Sequence, residues 1–180
     1  MSDKEVGIQV KVSHPDFRKL VEPIIRKEDL RDEAEMGPGV AEVILDYPLT
    51  WAFDQLEAMN SIERARTLVV TQAVHPAYLD SLASYHVSSV VVNTDRNGLL
   101  SGVYAAAASQ RSYHWRSELT YMELRVTRLL IQGRETRAIA TELQVSYKTV
   151  NAHVSNILCK LGLTSRAQFL AKLIKAQVEN

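Results

Sequence analysis

Over the first hundred or so residues, short apolar runs alternate with helical stripes; after that, helical stripes continue alone. Ile8, Val10 and Val12 alternate with polar neighbours and predict a strand. Phe17, Leu20, Val21, Ile24 and Ile25 form the stripe of an amphipathic helix. Pro15 suits its first turn, and Pro23 should kink or shorten it. Val40 to Leu45 predicts a further strand, and Ala52, Phe53, Leu56 and Met59 mark one helix face. Leu68-Val69-Val70 is a strand, and His75-Pro76 opens a helix with apolar Tyr78, Leu79, Leu82 and Tyr85. Ser89 to Val92 is a strand, and Leu99, Leu100, Val103, Tyr104 and Ala107 mark a closing helix. Apolar strands separated by helices predict a parallel sheet covered on both faces. Lys27 to Gly39 is acidic, ends in Gly37-Pro38-Gly39, and has room for one short strand and a loop. Counting that strand gives a five-stranded, doubly wound α/β domain with a shortened second helix region.

From about Ser117 the strand signals stop. Thr120-Tyr-Met-Glu123 reads as a capping box opening a helix that buries Leu129 and Leu130, and Gly133 ends it. Thr136 is the expected N-cap of a helix carrying Ala140 and Leu143. Ser146 caps the next, with Val150, Val154, Ile157, Leu158 and Leu161 on its apolar face and Gly162 at its end. Ser165-Arg-Ala-Gln168 is a second capping box, before Phe169, Leu170, Leu173 and Ile174. The predicted organisation is an α/β domain over residues 1–110, a linker over 111–116 holding Tyr113 and Trp115, and a four-helix domain over 117–180.

Composition narrows the function. The 180 residues carry 21 Lys and Arg against 21 Asp and Glu, a formal charge of zero, which alone argues against a uniformly basic nucleic-acid binder. Divided at the linker, the charge is asymmetric. Residues 1–116 hold 12 basic and 16 acidic side chains, a net of −4; residues 117–180 hold 9 and 5, a net of +4. The longest runs without Asp, Glu, Lys or Arg are 14 residues, too short for a span, so no membrane partner is expected. The polar N-terminus lacks an apolar signal region, and a cytoplasmic location is the expectation. Cys159 is the sole cysteine, which excludes an internal disulfide framework and a Cys-rich zinc site. It is expected to be semi-buried. No Gly-rich phosphate loop, metal-ligand cluster or nucleophile motif is present, so neither an enzyme nor a cofactor is expected.

The helical domain carries the most specific signal. A helix, a tight turn and a second capped helix suit a helix-turn-helix, with the second helix in the major groove. On the Ser146 helix, Lys148, Thr149, Asn151, Ala152 and Ser155 lie away from the apolar face and are mostly small or hydrogen-bonding. Leu119-Thr-Tyr-Met-Glu123, Leu129-Leu130, Gly133, Ile139-Ala140, Leu143, Ser146, Thr149-Val150, His153-Val-Ser-Asn-Ile157-Leu158, Lys160-Leu-Gly162 and Ser165-Arg166 closely resemble the LuxR-type (GerE-like) DNA-binding domain over about 60 residues. The resemblance implies a bacterial transcription regulator that binds double-stranded DNA as a homodimer. By it, Asn151, Ala152 and Ser155 face base edges, and the helix from Ser165 to about Gln177 is the dimerisation helix. Asn151 can read adenine bidentately. Lys148, Thr149, Lys160 and Arg166 are expected to contact phosphates. His153 is expected at the helix interface, and Lys172 and Lys175 on a solvated face.

In that family the preceding domain is commonly a flavodoxin-like response-regulator receiver, and the element order resembles one. Phosphoryl acceptance there needs an Asp ending the third strand, an acidic pair after the first for Mg²⁺, a Thr or Ser after the fourth, and a Lys after the fifth. Asp46 could occupy the acceptor place and Thr71 the switch place. The remaining places are filled otherwise. Lys11, Val12, Ser13 and His14 follow the first strand, with no carboxylate until Asp16. Asn93 stands where the Lys should be, and Val90 where an aromatic is usual. The alternative for Asp46 is a solvent-facing residue at a strand end. The resulting expectation is a pseudo-receiver that dimerises, or that takes a small-molecule or protein ligand, attached to a DNA-binding domain that works without phosphorylation. The competing expectation is a binding module that regulates another transcription factor by heterodimerising through the pseudo-receiver.

Overall fold

The computed structural model describes residues 8–12, 19, 41–92, 96–112 and 117–178. Apart from Lys19, which is helical, the expected Phe17–Ile25 helix lies outside them, as do the expected strand within Lys27–Gly39, the residues Asp16 and Asn93, and the linker aromatics Tyr113 and Trp115. The chain divides into two compact units. One comprises Met1–Gln72 with Tyr85–His114, and the other Ala73–Ser84 with Trp115–Asn180.

The first unit is built on a parallel sheet. Its described strands are β1 (Ile8–Val12), β2 (Ala41–Asp46), β3 (Thr67–Thr71) and β4 (Ser89–Val92), hydrogen-bonded in that order. Val10 stands opposite Val43, Val43 opposite Leu68, and Leu68 opposite Ser89. Four strands are thus described against the five expected. Every residue of β2 and β3 is buried, as a parallel sheet covered on both faces requires. On one face Ala41, Val43, Leu45, Leu68 and Val70 form a core with Leu99, Val103 and Ala106. The last three lie on α4 (Arg96–Ala107). Alternation sends Glu42, Ile44 and Asp46 to the opposite face. Helix α1 (Trp51–Ala58) packs against β2 and buries Ala52, Phe53 and Leu56. A short helix α2 (Ser61–Arg64) follows, opened by a capping box in which Asn60 and Glu63 satisfy each other's backbone N–H. Tyr85 does not belong to a helix as its apolar spacing suggested. It lies beyond one, buried, donating its hydroxyl to Glu57 Oε1 at 2.9 Å with the Arg64 guanidinium 5.3 Å from its ring.

The second unit is helical. It holds α5 (Tyr121–Ile131), α6 (Thr136–Leu143), α7 (Tyr147–Lys160) and α8 (Arg166–Val178). The Thr120–Glu123 capping box forms as the sequence predicts. Gly133 and Gly162 take φ of +78° and +63°, the left-handed conformation that lets the chain leave a helix without a Cβ penalty. Glu135, not Thr136, is the N-cap of α6, with extended backbone at φ −71° and ψ 152°; Thr136 is already helical. Gln168 closes its box one residue early: Ser165 Oγ accepts from Gln168 N–H at 3.1 Å, and Gln168 Oε1 accepts from Thr164 N–H at 2.7 Å.

Helix α3 (Pro76–Ala83), which follows β3 in the chain, belongs to this helical unit and lies against α5. Asp80 Oδ2 accepts the Ser117 hydroxyl at 2.5 Å. His75 caps α3, its Nδ1 accepting from Ala77 N–H at 3.2 Å, and Pro76 occupies the first turn. The imidazole meets the Phe169 ring edge-on, with centroids 6.0 Å apart. Burial first, and then the Lys172 ammonium, lower the His75 pKa; Asp80 opposes them. A proton on Nδ1 also removes the acceptor that caps α3. With the folded pKa depressed, this stabilisation is complete above about 6.5, the unfolded value, and is lost as pH falls through the folded pKa. Thermal melts should therefore show the helical unit losing stability between pH 7.5 and 5.5. The His75→Asn variant, which keeps a capping oxygen and does not titrate, should flatten that slope; an unchanged slope would assign it to another group.

Candidate nucleic-acid interface

Helices α6 and α7 face each other across a turn in which Gln144 is left-handed, at φ 55°. Ile139, Ala140 and Leu143 of α6 and Val150 and Ile157 of α7 are buried. That packing sets the outward side of α7. Ser146 is its N-cap: the Oγ accepts from Thr149 N–H at 3.0 Å and shares a hydrogen bond with Thr149 Oγ1 at 2.8 Å. The hydroxyl of Thr149 is therefore already paired within the first turn.

Tyr147, Lys148, Asn151, Ala152, Ser155 and Cys159 are all exposed. Lys148, Ala152, Ser155 and Cys159 recur every three or four positions, on the side away from Val150 and Ile157, with Tyr147 and Asn151 in the adjoining row. His153 is half-buried. Cys159 is exposed rather than semi-buried, because it falls on this outward stripe and not on the side of Val150 and Ile157.

Two of the expected phosphate contacts hold the domain together. Lys160 Nζ lies 2.7 Å from Glu123 Oε2 and donates to the Glu118 carbonyl at 3.0 Å. Burial works against the Glu123 carboxylate, but Lys160 and the N–H and hydroxyl of Thr120 outweigh it, and its pKa lies below the ordinary value. Arg166 donates to the Arg134 carbonyl at 2.6 Å, which brings these two arginines together ahead of α6. Arg134 and Arg137, both exposed, were not singled out from the sequence, nor was Tyr147. The available signal was their position at the N-terminus of each helix of the pair.

Asp46 is buried, at 4% exposure, rather than facing solvent at its strand end. Its Oδ1 accepts from Ala52 N–H at 3.0 Å, capping α1, and its Oδ2 accepts the Thr71 hydroxyl at 2.9 Å. Thr50, at the N-cap position of α1, makes no side-chain cap of its own. The carboxylate thus joins β2, β3 and α1. Phe169 and Leu173 of α8 are buried, and Lys172 is exposed.

Residues 117–172 match the family GerE, described as bacterial regulatory proteins, luxR family. Spore germination protein GerE of Bacillus subtilis is 38% identical over 66 residues, which make up 37% of this chain and 89% of GerE. Transcriptional regulatory protein DegU of Brevibacillus brevis is 42% identical over 57 residues, 32% of this chain but only 24% of DegU. Among solved structures, RcsB from Salmonella enterica serovar Typhimurium, bound to promoter P1flhDC in the presence of phosphomimetic BeF3−, superposes with a TM-score of 0.60 at 14% identity. That match covers 94% of this chain and 98% of RcsB, and at this identity it speaks to the fold alone. A structure of two RcsB dimers on two parallel DNAs gives the same TM-score at 16% identity, covering 94% and 99% of the two chains. No described helix is long and apolar enough to cross a membrane.

Proposed function

The chain belongs to the luxR family of bacterial regulatory proteins, a family of DNA-binding transcription regulators, and from that premise we propose that it binds its sites as a homodimer without phosphorylation. The observation that carries the DNA-binding face is the outward stripe of α7, exposed and uncharged except for Lys148. In this reading Asn151, Ala152 and Ser155 meet base edges, while Lys148, with Arg134 and Arg137 from the first helix of the pair, meets phosphates. Lys160 and Arg166 instead brace the domain at its surface, one anchoring α7 to α5 and the other holding the turn before α6. Thr149 gives its backbone N–H to Ser146 Oγ, so it reaches phosphate through its hydroxyl, which the Ser146 hydroxyl holds in place.

Dimerisation rests on the family's use of its last helix, here α8, and on the solved RcsB dimers on DNA. Independence from phosphorylation is supported at Asp46. Both carboxylate oxygens accept internal hydrogen bonds and the group is 4% exposed, while the sequence has no acidic pair after β1. To become an acyl phosphate, this carboxylate would have to give up one of the hydrogen bonds that tie two strands to a helix.

The test is selection of bound fragments from genomic DNA with the purified protein, with and without acetyl phosphate and Mg²⁺. Palindromic sites with half-sites about one helical turn apart, unchanged by the phosphodonor, are expected. A clear gain of affinity with the phosphodonor would sink the independence. The cation assignments separate by salt dependence. Lys148→Ala removes one phosphate contact from each protomer, so it should reduce the slope of log K against log salt by about 1.8 for the dimer and leave the melting temperature unchanged. Lys160→Ala should leave the slope unchanged and destabilise the fold by about 1–3 kcal/mol, because the buried Glu123 carboxylate keeps its Thr120 hydrogen bond but loses its ion-pair partner. The reverse pattern would exchange the two roles.

A further inference from the structure

Resting on the reading of α7 as the base-reading helix, we propose that this protein selects half-sites whose core is A·T, with Tyr147 as an additional specificity residue that packs on thymine methyl groups. The carrying observation is which side chains of α7 remain available. Ser146 and Thr149 pair with each other, and Lys160 pairs with Glu123. The side chains of Tyr147, Asn151 and Ser155 are exposed, and no hydrogen bond or ion pair joins them to other described residues.

Tyr147 is 53% exposed in the first turn, one helical turn ahead of Asn151 and in the same row. More than half of its surface is open to solvent, and an aromatic is a mediocre helix former at this position. The N-terminal residues of a recognition helix are the ones that reach base edges.

The chemistry of this set is one-sided. Guanine presents two acceptors and is read mainly by a guanidinium or ammonium. Asn151, Ala152, Ser155 and Tyr147 supply an amide, a methyl, a hydroxyl and an aryl ring, with no cation among them. The amide matches the N6 donor and N7 acceptor of adenine, and the methyl and ring match the thymine C5-methyl. Lys148, in the first turn, is left to the phosphates.

The test uses the full chain and synthetic duplexes carrying the sites it selects. Deoxyuridine replaces thymine at one position at a time, which removes only the methyl. At one or two positions under α7 the replacement should weaken binding by about fivefold to tenfold. Tyr147→Ala should weaken binding to the thymine duplex by a similar factor and abolish the difference between thymine and uracil at one position. Tyr147→Phe should retain that difference. Selected half-sites built on conserved G·C pairs, thymine and uracil bound equally at every position, or a Tyr147→Ala loss that is uniform across sequences would each overturn the proposal while leaving DNA binding intact. If no salt-sensitive DNA binding occurs, the reading of α7 falls, and the proposal falls with it.

Discussion

Asp46→Ala is expected to destabilise the α/β unit by about 2–4 kcal/mol, while folded molecules keep their DNA affinity. The loss has two parts of similar size. Ala52 N–H loses its cap at the start of α1, typically worth about 1 kcal/mol, and the Thr71 hydroxyl is left buried without that acceptor, at about 1–3 kcal/mol. Asp46→Asn retains an oxygen for Ala52 and should cost much less. Asp46→Glu, the usual mimic of a charged acceptor, lengthens a side chain held at both oxygens. It should destabilise the unit without improving DNA binding. Denaturant melts paired with binding titrations check all three. A stable Asp46→Ala protein with altered DNA affinity would return Asp46 to a signalling role.

Phe169→Ala should produce the largest single loss, about 3–5 kcal/mol, and lower the melting midpoint of the helical unit by more than roughly 10 °C. The ring is completely buried at the start of α8 and carries the edge-on contact with His75 at the head of α3. Its removal leaves a cavity and uncouples α3 from α8. If α8 also supplies the dimer contact, DNA binding should fail together with folding. Phe169→Leu, which restores most of the volume, should recover most of both. Calorimetry and sedimentation at matched concentration separate the effects. A Phe169→Ala protein that melts like the parent would show that the ring is not holding the unit together.

Part of this design is legible along the chain because it is local. The capping box of α5 needs only Thr120 and Glu123, three residues apart, and the glycine stops at 133 and 162 need only their neighbours. The exposed side of α7 is equally local, since helical periodicity alone turns Asn151, Ala152 and Ser155 away from Val150 and Ile157. The box at Asn60 and Glu63 has the same grammar and was legible but passed over. Other features required partners distant in sequence. The pairing of Lys160 with Glu123, 37 residues earlier and 2.7 Å away, has no signal along the chain. Strand alternation assigns Asp46 to a face, but its depth depends on α1 and β3 arriving over it.

The sequence by itself determined the kind of protein this is. An acidic α/β part precedes a basic helical part, legible because periodicity, caps and charge are properties of neighbouring residues, and the helical part's residue pattern resembles and matches the luxR family. Only the tertiary structure decided which polar groups remain available. Folding gave Lys160, Arg166, Thr149 and Asp46 hydrogen-bond partners within the chain, of which only Asp46 is buried, while Tyr147, Lys148, Asn151 and Ser155 are exposed. It also grouped α3, which follows β3 in the chain, with the helical unit. The physical reason is common to these cases. A polar group's role depends on its nearest partner in space, and when the chain closes on itself that partner is often far away in sequence.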